Sequence, residues 1–337
     1  MMERVSLSCG NGGVENSDLI KIFLGHFENK YSLEDAGLFG DSAKKYATSI
    51  DSFTITPIFF SGGDIGKLSV CGSANDVAMM GAKPKFMSAS FIIEEGFKVA
   101  DLEKIAKSMS AEMRAGGISL ISADTKVVER RNLSAPFADS SGIFITTSII
   151  GEIMFEGISA RNLQEGDVVI VSGEIGAHGA CIYCAREGIK LEHSLQSDCA
   201  NLWGLVELLI KGGVEIHAMR DATRGGIASA LNEWARASGR GIIIDESAIP
   251  LCDEVRGVCE LLGIEAFSLA NEGVCVLATS KDSAPLALEL LKSHNLGKNA
   301  SIIGEVKSSA KRVILKSTLG IERYLEYPQG EILPRIC

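Results

Sequence analysis

Long apolar runs are missing from this 337-residue chain: no stretch approaches the roughly 18 consecutive apolar residues that a membrane helix requires. The opening Met1-Met2-Glu3-Arg4-Val5-Ser6 carries no apolar core of a secretory signal. The expected compartment is therefore the cytoplasm, where thiols stay reduced. Positive charge is scarce as well. With a net charge of −10 and no cluster of Lys and Arg, the composition argues against a nucleic-acid surface. Low-complexity tracts and short-period repeats are absent. So is a Walker A loop: the nearest approach, Ser61 to Leu68, lacks the leading glycine and ends Gly66-Lys67-Leu68 without Ser or Thr. Any nucleotide must be held by another architecture. Cys181-x-x-Cys184 has no second pair of its kind and falls in a predicted helix, so buried thiols are its simpler reading. In a reducing compartment the nine cysteines read as free thiols, not as a disulfide framework.

What is present is an ordinary globular composition, 46% hydrophobic and 23% charged, in a chain long enough for two domains with separate cores. Apolar spacing predicts helices over Ser17–Asn29, Leu68–Met80 and Asp101–Ala115 in the first half. Strands are predicted at Tyr46–Ile50, Ala89–Ile93, Ile118–Ile121 and Ile143–Glu152. The polar, glycine-bearing stretch from Phe155 to Gly166 marks the domain boundary. Beyond it, strands are predicted at Val168–Ser172, Ile242–Ile244, Val274–Ala278, Ser301–Ile303 and Arg312–Leu315. Helices are predicted at Ala180–Glu187, Leu202–Lys211, Ile227–Ala237, Cys252–Leu262 and Ser283–Ser293. Strands alternating with helices imply an α/β or α+β fold in both halves.

Acids embedded among small residues and turns carry the chemistry: Asp51, Asp64, Asp76 and Asp124, with Asp221 and Glu272 in the second half. A hard cation wants carboxylate oxygens beside phosphate oxygens, and acids at element ends suit Mg²⁺. Singly, each has a plainer alternative: Asp76 as a helix cap, Asp64 as a turn residue. Lys126, just past Asp124, suits a phosphate or a reacting group, or else is a solvated strand end. Arg220-Asp221-Ala222-Thr223-Arg224-Gly225-Gly226 leads into a helix whose N–H groups suit an anion, with capping the alternative. His178 reads as a loop histidine. At the other end, Pro334-Arg335-Ile336-Cys337 places a thiol on the final residue, after prolines and glycine that discourage helix or strand. It reads as a frayed terminus or as a mobile arm.

Across nearly the whole chain the motifs resemble the HypE family of hydrogenase maturation factors. That family belongs to the ATP-binding superfamily of aminoimidazole ribonucleotide synthetase and selenophosphate synthetase. The matching runs are Asp51-Ser52-Phe53, Phe60 to Leu68, Asn75 to Ala82, Ile93 to Phe97, Asp124 to Val128, Ile158 to Asn162 and Asp221 to Gly226. Ile249-Pro250, Glu254 to Arg256, Leu269 to Gly273, Ile303 to Val306 and the terminal Pro334 to Cys337 complete them. Four positions depart from the family pattern. Cys9 stands where a histidine is usual, Ala222 where proline is usual, and Cys181 and Cys184 where small apolar residues are usual.

The resemblance implies a two-domain fold of the PurM-like kind. Residues 1–155 would bind ATP and pair with a second copy in a homodimer, forming a shared β-barrel. Residues 156–316 would be a second α/β domain, and 317–337 a flexible tail bearing the reactive cysteine. It implies ATP and Mg²⁺ held by Asp51, Gly62, Gly63, Asp64, Asp76, Asp124 and Asn271, with the four aspartates as metal ligands. The reaction implied is dehydration of a carbamoyl group on Cys337 to a thiocyanate, the source of the cyanide ligand of [NiFe] hydrogenase iron. Its implied partners are the carbamoyltransferase HypF and the iron scaffold HypC–HypD, with no nucleic acid and no membrane. Glu272 would be the base and Lys126 would polarise the site or contact phosphate. Two other classes stay open: an ATP-dependent enzyme on a free small substrate, with Cys9 reactive, and a non-catalytic carrier of the tail's cargo. Trimming Cys337 separates the first, and a nucleotide-independent tail separates the second.

Overall fold

The computed structural model describes residues 14, 17, 34–41, 43–129, 142–191, 195–317 and 319–329. The helix expected over Ser17–Asn29 lies, but for Ser17, outside them, as do Cys9 and the terminal Pro334 to Cys337. Two sheets carry the described chain. The first is five-stranded. It is built from β1 (Gly37–Gly40), β2 (Lys45–Phe53), β5 (Ala82–Glu94), β6 (Ser119–Val128) and β7 (Ile143–Ile153), in the order β1-β2-β7-β5-β6. A small β3 (Phe59–Phe60) and β4 (Gly63–Asp64) pair lies between β2 and helix α1 (Ile65–Met79), and α2 (Val99–Gly116) connects the parallel β5 and β6.

Helix α1 explains its own sequence. Almost all of it is buried, and an amphipathic stripe would not serve a helix enclosed on every side. One side lies on β2, β5 and β7, and another meets α2 and elements of the second half. Small residues let those neighbours close in. A Cβ on Gly66 would stand 2.5 Å from the Ile105 carbonyl oxygen, and one on Gly72 would stand 2.9 Å from the Phe53 ring.

The second sheet is seven-stranded, in the order β14-β13-β10-β12-β8-β11-β9. Its strands are β8 (Val168–Val171), β9 (Ile216–Asp221), β10 (Gly241–Asp245), β11 (Cys275–Thr279), β12 (Ser301–Lys307), β13 (Val313–Lys316) and β14 (Glu322–Tyr324). Helices α3 (Ala177–Glu187), α5 (Gly226–Ser238) and α6 (Asp253–Leu262) share one apolar core with this sheet. Helices α4 (Trp203–Lys211) and α7 (Ala284–Ser293) share another, which also takes in Ala78 and Met79 at the end of α1. The two halves thus join through α1. Among the described residues no helix is long and apolar enough to cross a membrane.

The elements predicted within the described residues are found, while β1, β9 and β14 were not predicted. Strand β9, unread in the sequence, runs straight into Asp221, where a polar loop was expected. Its buried Ile216, Ala218 and Met219 are interrupted by His217 and Arg220, so the apolar alternation that marks a strand is blurred. β5 and β6 are also longer than predicted.

Candidate functional site: an acidic cleft between the two halves

A polar cleft of about 490 Å³ opens where β2 and α1 of the first half meet the end of β9 and the loop before β11. Asp51 and Asp76 line it from the first half, together with Glu34 and Asp35 ahead of β1; Asp221 and Glu272 line it from the second. Strand parity brings Asp51 here. Ala47 and Phe53 are buried on the α1 side of β2, so Ser49 and Asp51 face α1 as well. The Ser49 hydroxyl then donates to Asp76 of α1. Glu272 is held by its backbone: its carbonyl accepts from Ala200 N (3.2 Å) and Asn75 Nδ2 (3.2 Å). Gly72 on α1 lies beside the Glu272 carboxylate, 3.9 Å from where a Cβ would stand.

The charges crowd. Burial pushes the Asp76 carboxyl well above the usual range, and Asp51, Asp221 and Asp35 push the same way against the Ser49 hydrogen bond. Burial raises Glu272 likewise, with Cys199, Asp221, Asp198 and Asp51 adding to it. Asp221 is pushed up to about 6, chiefly by burial, although Arg220 opposes this. Its Oδ2 is buried with no hydrogen-bond partner among the described residues. Asp35 is raised by burial, with Arg220 again opposing. Arg220 pairs with Asp35 (3.0 Å) and with Glu233. Glu233 in turn accepts from the Tyr327 hydroxyl at 2.9 Å.

Such a site calls for positive charge. An orphaned buried carboxylate oxygen, beside several acids whose carboxyls burial and neighbouring charge push upward, fits a hard divalent cation. Among the described residues no three such side chains converge on one point. Mg²⁺ fits that arrangement with one or two carboxylates, since it completes its shell with water and phosphate oxygens.

The residues singled out from the sequence divide into three groups. Asp51, Asp76 and Glu272 come together in the cleft, with the Arg220–Arg224 stretch on its wall. Asp64 caps α1 instead, accepting from Gly66 N at 2.7 Å and Lys67 N at 3.1 Å, and does not line the cleft. The adjoining loop packs on the second half. Gly62 has a φ of 93°, and a Cβ there would stand 2.7 Å from the Ser197 carbonyl, while Gly63 sits against the Phe60 ring. Asn271 is spent on structure: Nδ2 donates to Ala222 O (2.8 Å) and Leu269 O (3.1 Å), and Oδ1 accepts from Gly176 N (2.6 Å).

Asp124 and Lys126 form an exposed ion pair of 2.7 Å on β6. Register runs from Asp124 through Ser90 and Thr146 to Ser52, three strands away on the face opposite α1. That is about 14 Å across the sheet from Ser52, which lines the cleft, so Asp124 does not reach it. Glu34, Asp35 and Gly72 were missed because no motif marks them; only folding brings them beside Asp221. Gly225 and Gly226 open α5 as expected, but a Cβ on Gly226 would stand 2.4 Å from the Phe267 carbonyl. That glycine serves close packing.

Known proteins are similar to this chain in sequence and fold. Residues 33–153 match the AIR synthase related protein N-terminal domain, and residues 164–316 the AIR synthase related protein C-terminal domain. The chain is 42% identical to the carbamoyl dehydratase HypE of Escherichia coli (strain K12), over 100% of both chains. It superposes on the HypE chain of a HypE–HypF complex with a TM-score of 0.85 at 43% identity, covering 92% of this chain and 99% of that one. A HypE crystal structure in complex with ATP gives a TM-score of 0.82 at 37% identity, covering 99% and 100%.

Proposed function

We propose a function from one premise: this chain belongs to the HypE carbamoyl dehydratase family, on the AIR synthase related fold. It is an ATP-dependent carbamoyl dehydratase of hydrogenase maturation, and its substrate is a carbamoyl group on its own terminal Cys337. The acidic cleft is its ATP site, in keeping with the ATP-bound relative. Loading of Cys337 falls to a HypF carbamoyltransferase, as the HypE–HypF complex suggests for this chain too. The cyano product passes to iron on a HypC–HypD scaffold. The reaction belongs in the cytoplasm, and the chain works as a homodimer.

The observation that carries this reading is where the chain, after pairing β14 on β13 and burying Leu325 within the stretch expected to be a flexible tail, leaves for its terminus. Tyr327 binds Glu233, its ring lies under Arg236 (4.8 Å), and Pro328 stands 3.5 Å from a Cβ built on Gly225. Thr223 and Arg224 on the same turn line the cleft. The tail is therefore rooted at the rim. Residues 329 to 337 span up to about 30 Å when extended, ample to bring Cys337 to the floor.

The chemistry needed is specific. An amide oxygen leaves poorly, so the thiocarboxamide oxygen takes the terminal phosphoryl group of ATP and departs as phosphate. Both amide protons are lost as the C≡N bond completes, and the sulfur stays bonded to carbon throughout. Glu272, on the cleft floor, is the base for the amide nitrogen. One or two of Asp51, Asp76 and Asp221 would hold each Mg²⁺, which offsets triphosphate charge when bound. Lys126 enters only through the dimer, because on its own chain it lies three strands across the sheet from the cleft.

Intact-mass measurement of the C-terminal peptide after carbamoylation tests this. ATP should remove the mass of one water, and Glu272→Gln should slow that loss by about 100-fold or more. No mass change with ATP would mean a carrier, and full activity after removal of Cys337 would mean a free substrate.

A further inference from the structure

The cleft floor rests on a carboxylate that the proposed reaction does not use. Asp198 precedes α4 in the second half, and its Oδ2 accepts two consecutive N–H groups, from Glu272 (3.1 Å) and Gly273 (2.9 Å). The two backbones touch: a Cβ on Gly273 would fall 1.9 Å from the Asp198 carbonyl oxygen, so only glycine fits there. With Ala200 N and Asn75 Nδ2 on the Glu272 carbonyl, the peptide groups on both sides of Glu272 are fixed. The second Asp198 oxygen, Oδ1, is buried with no hydrogen-bond partner among the described residues. A capping carboxylate with one oxygen idle is a costly choice where an Asn or Ser would also accept.

We propose that Asp198 is the positioning residue of the general base: it fixes the backbone that aims Glu272 into the cleft, and its charge governs when Glu272 can take a proton. This rests on the reading of Glu272 as base. Burial raises Asp198 to about 6, while N–H groups of Gly273, Glu272 and His178 favour its charged form, so it is largely ionised at neutral pH. A charged neighbour disfavours a second buried carboxylate. The groups facing Glu272 are Cys199, Asp221, Asp198 and Asp51, and all four push it upward. Cys181 is the further thiol that feels Asp198. Glu272 thus holds a proton more readily than an isolated carboxyl would, which suits a group that must accept one from the amide nitrogen.

The test uses the full chain carbamoylated on Cys337 and follows ATP-dependent water loss by mass across pH. Asp198→Ala should cut the rate about 100-fold with the ATP KM unchanged, since it releases the backbone that aims the base. Asp198→Asn still accepts both N–H groups but carries no charge. It should lower the rate less and move the acidic limb of the pH profile down by roughly half a unit to one unit. An unaltered rate in Asp198→Ala overturns the positioning role. An unmoved acidic limb in Asp198→Asn overturns the charge role, and that variant decides the matter if Asp198→Ala does not fold. Glu272→Gln runs alongside: if it keeps full rate, the base reading fails by itself, whereas an inactive Glu272→Gln beside a fully active Asp198→Ala leaves the base and removes Asp198.

Discussion

Asp221 shows what a buried charge costs before a ligand arrives. Only 6% of the residue is exposed, and its carboxyl is pushed from 3.8 up to about 6. A raised acid makes the folded state bind more protons than the unfolded chain between those values. Its favourable contribution is therefore present at low pH and lost as pH rises through about 6. The shift corresponds to at most about 3 kcal/mol near pH 7. Asp198 acts in the same direction. The ligand-free protein should accordingly melt higher at pH 5.5 than at pH 7.5, as read by differential scanning fluorimetry. Asp221→Asn should gain several degrees at pH 7.5, because Arg220 keeps Asp35 and Glu233 as partners. The same variant should lose much of the stabilisation that Mg²⁺ and ATP confer on the parent. Equal melting temperatures for variant and parent at pH 7.5 would contradict this account.

At the scale of elements, α1 is where the two halves and the cleft meet. It supplies Gly72 and Asp76 to the site, Asn75 to the Glu272 backbone, and Ala78 and Met79 to the second core. Its N-terminus depends on Asp64, which satisfies two N–H groups that the helix cannot. A cap and a metal ligand respond differently to substitution. Asp64→Ser keeps a capping oxygen and should hold both melting temperature and ATP turnover close to the parent. Asp64→Ala should cost about 1 kcal/mol, a few degrees of melting temperature. A large loss of ATP turnover in Asp64→Ser, with melting unchanged, would return Asp64 to the ligand set.

The whole molecule has an unfinished side. Ile50, Phe86, Ile92 and Phe144 are exposed on the face of the first sheet opposite α1, with Ile50 at 68%. β6, at one edge, is exposed along its length. A large apolar sheet face is what a second copy would cover. The protein should sediment at twice the chain mass, and Ile50→Lys should shift it toward the monomer. A dimer unaffected by Ile50→Lys would place the interface elsewhere. Asp124 and Lys126 lie on that same face, so the ion pair that looks idle in one chain belongs to the surface the dimer would use.

Local order was written in the residues. Apolar periodicity marked every helix predicted within the described residues and most of the strands, and the acid set, Asp51 and Asp76 among it, pointed toward a cation and phosphate site although both acids lie inside their elements. The terminal Cys337 and the motif at Leu269 to Gly273 pointed to the family. Folding decided which acids meet. In a strand the side-chain direction reverses at each residue, so Asp51 turns toward α1 while Asp124, on a distant strand of the same sheet, turns away from it. Asp64 lies one residue before a helix, and the helix claims it as a cap. Glu34, Asp35 and Asp198 have no shared pattern in the sequence. They become neighbours of Asp51 and Glu272 only because α1 is packed between two sheets, and that contact between distant segments is a tertiary fact.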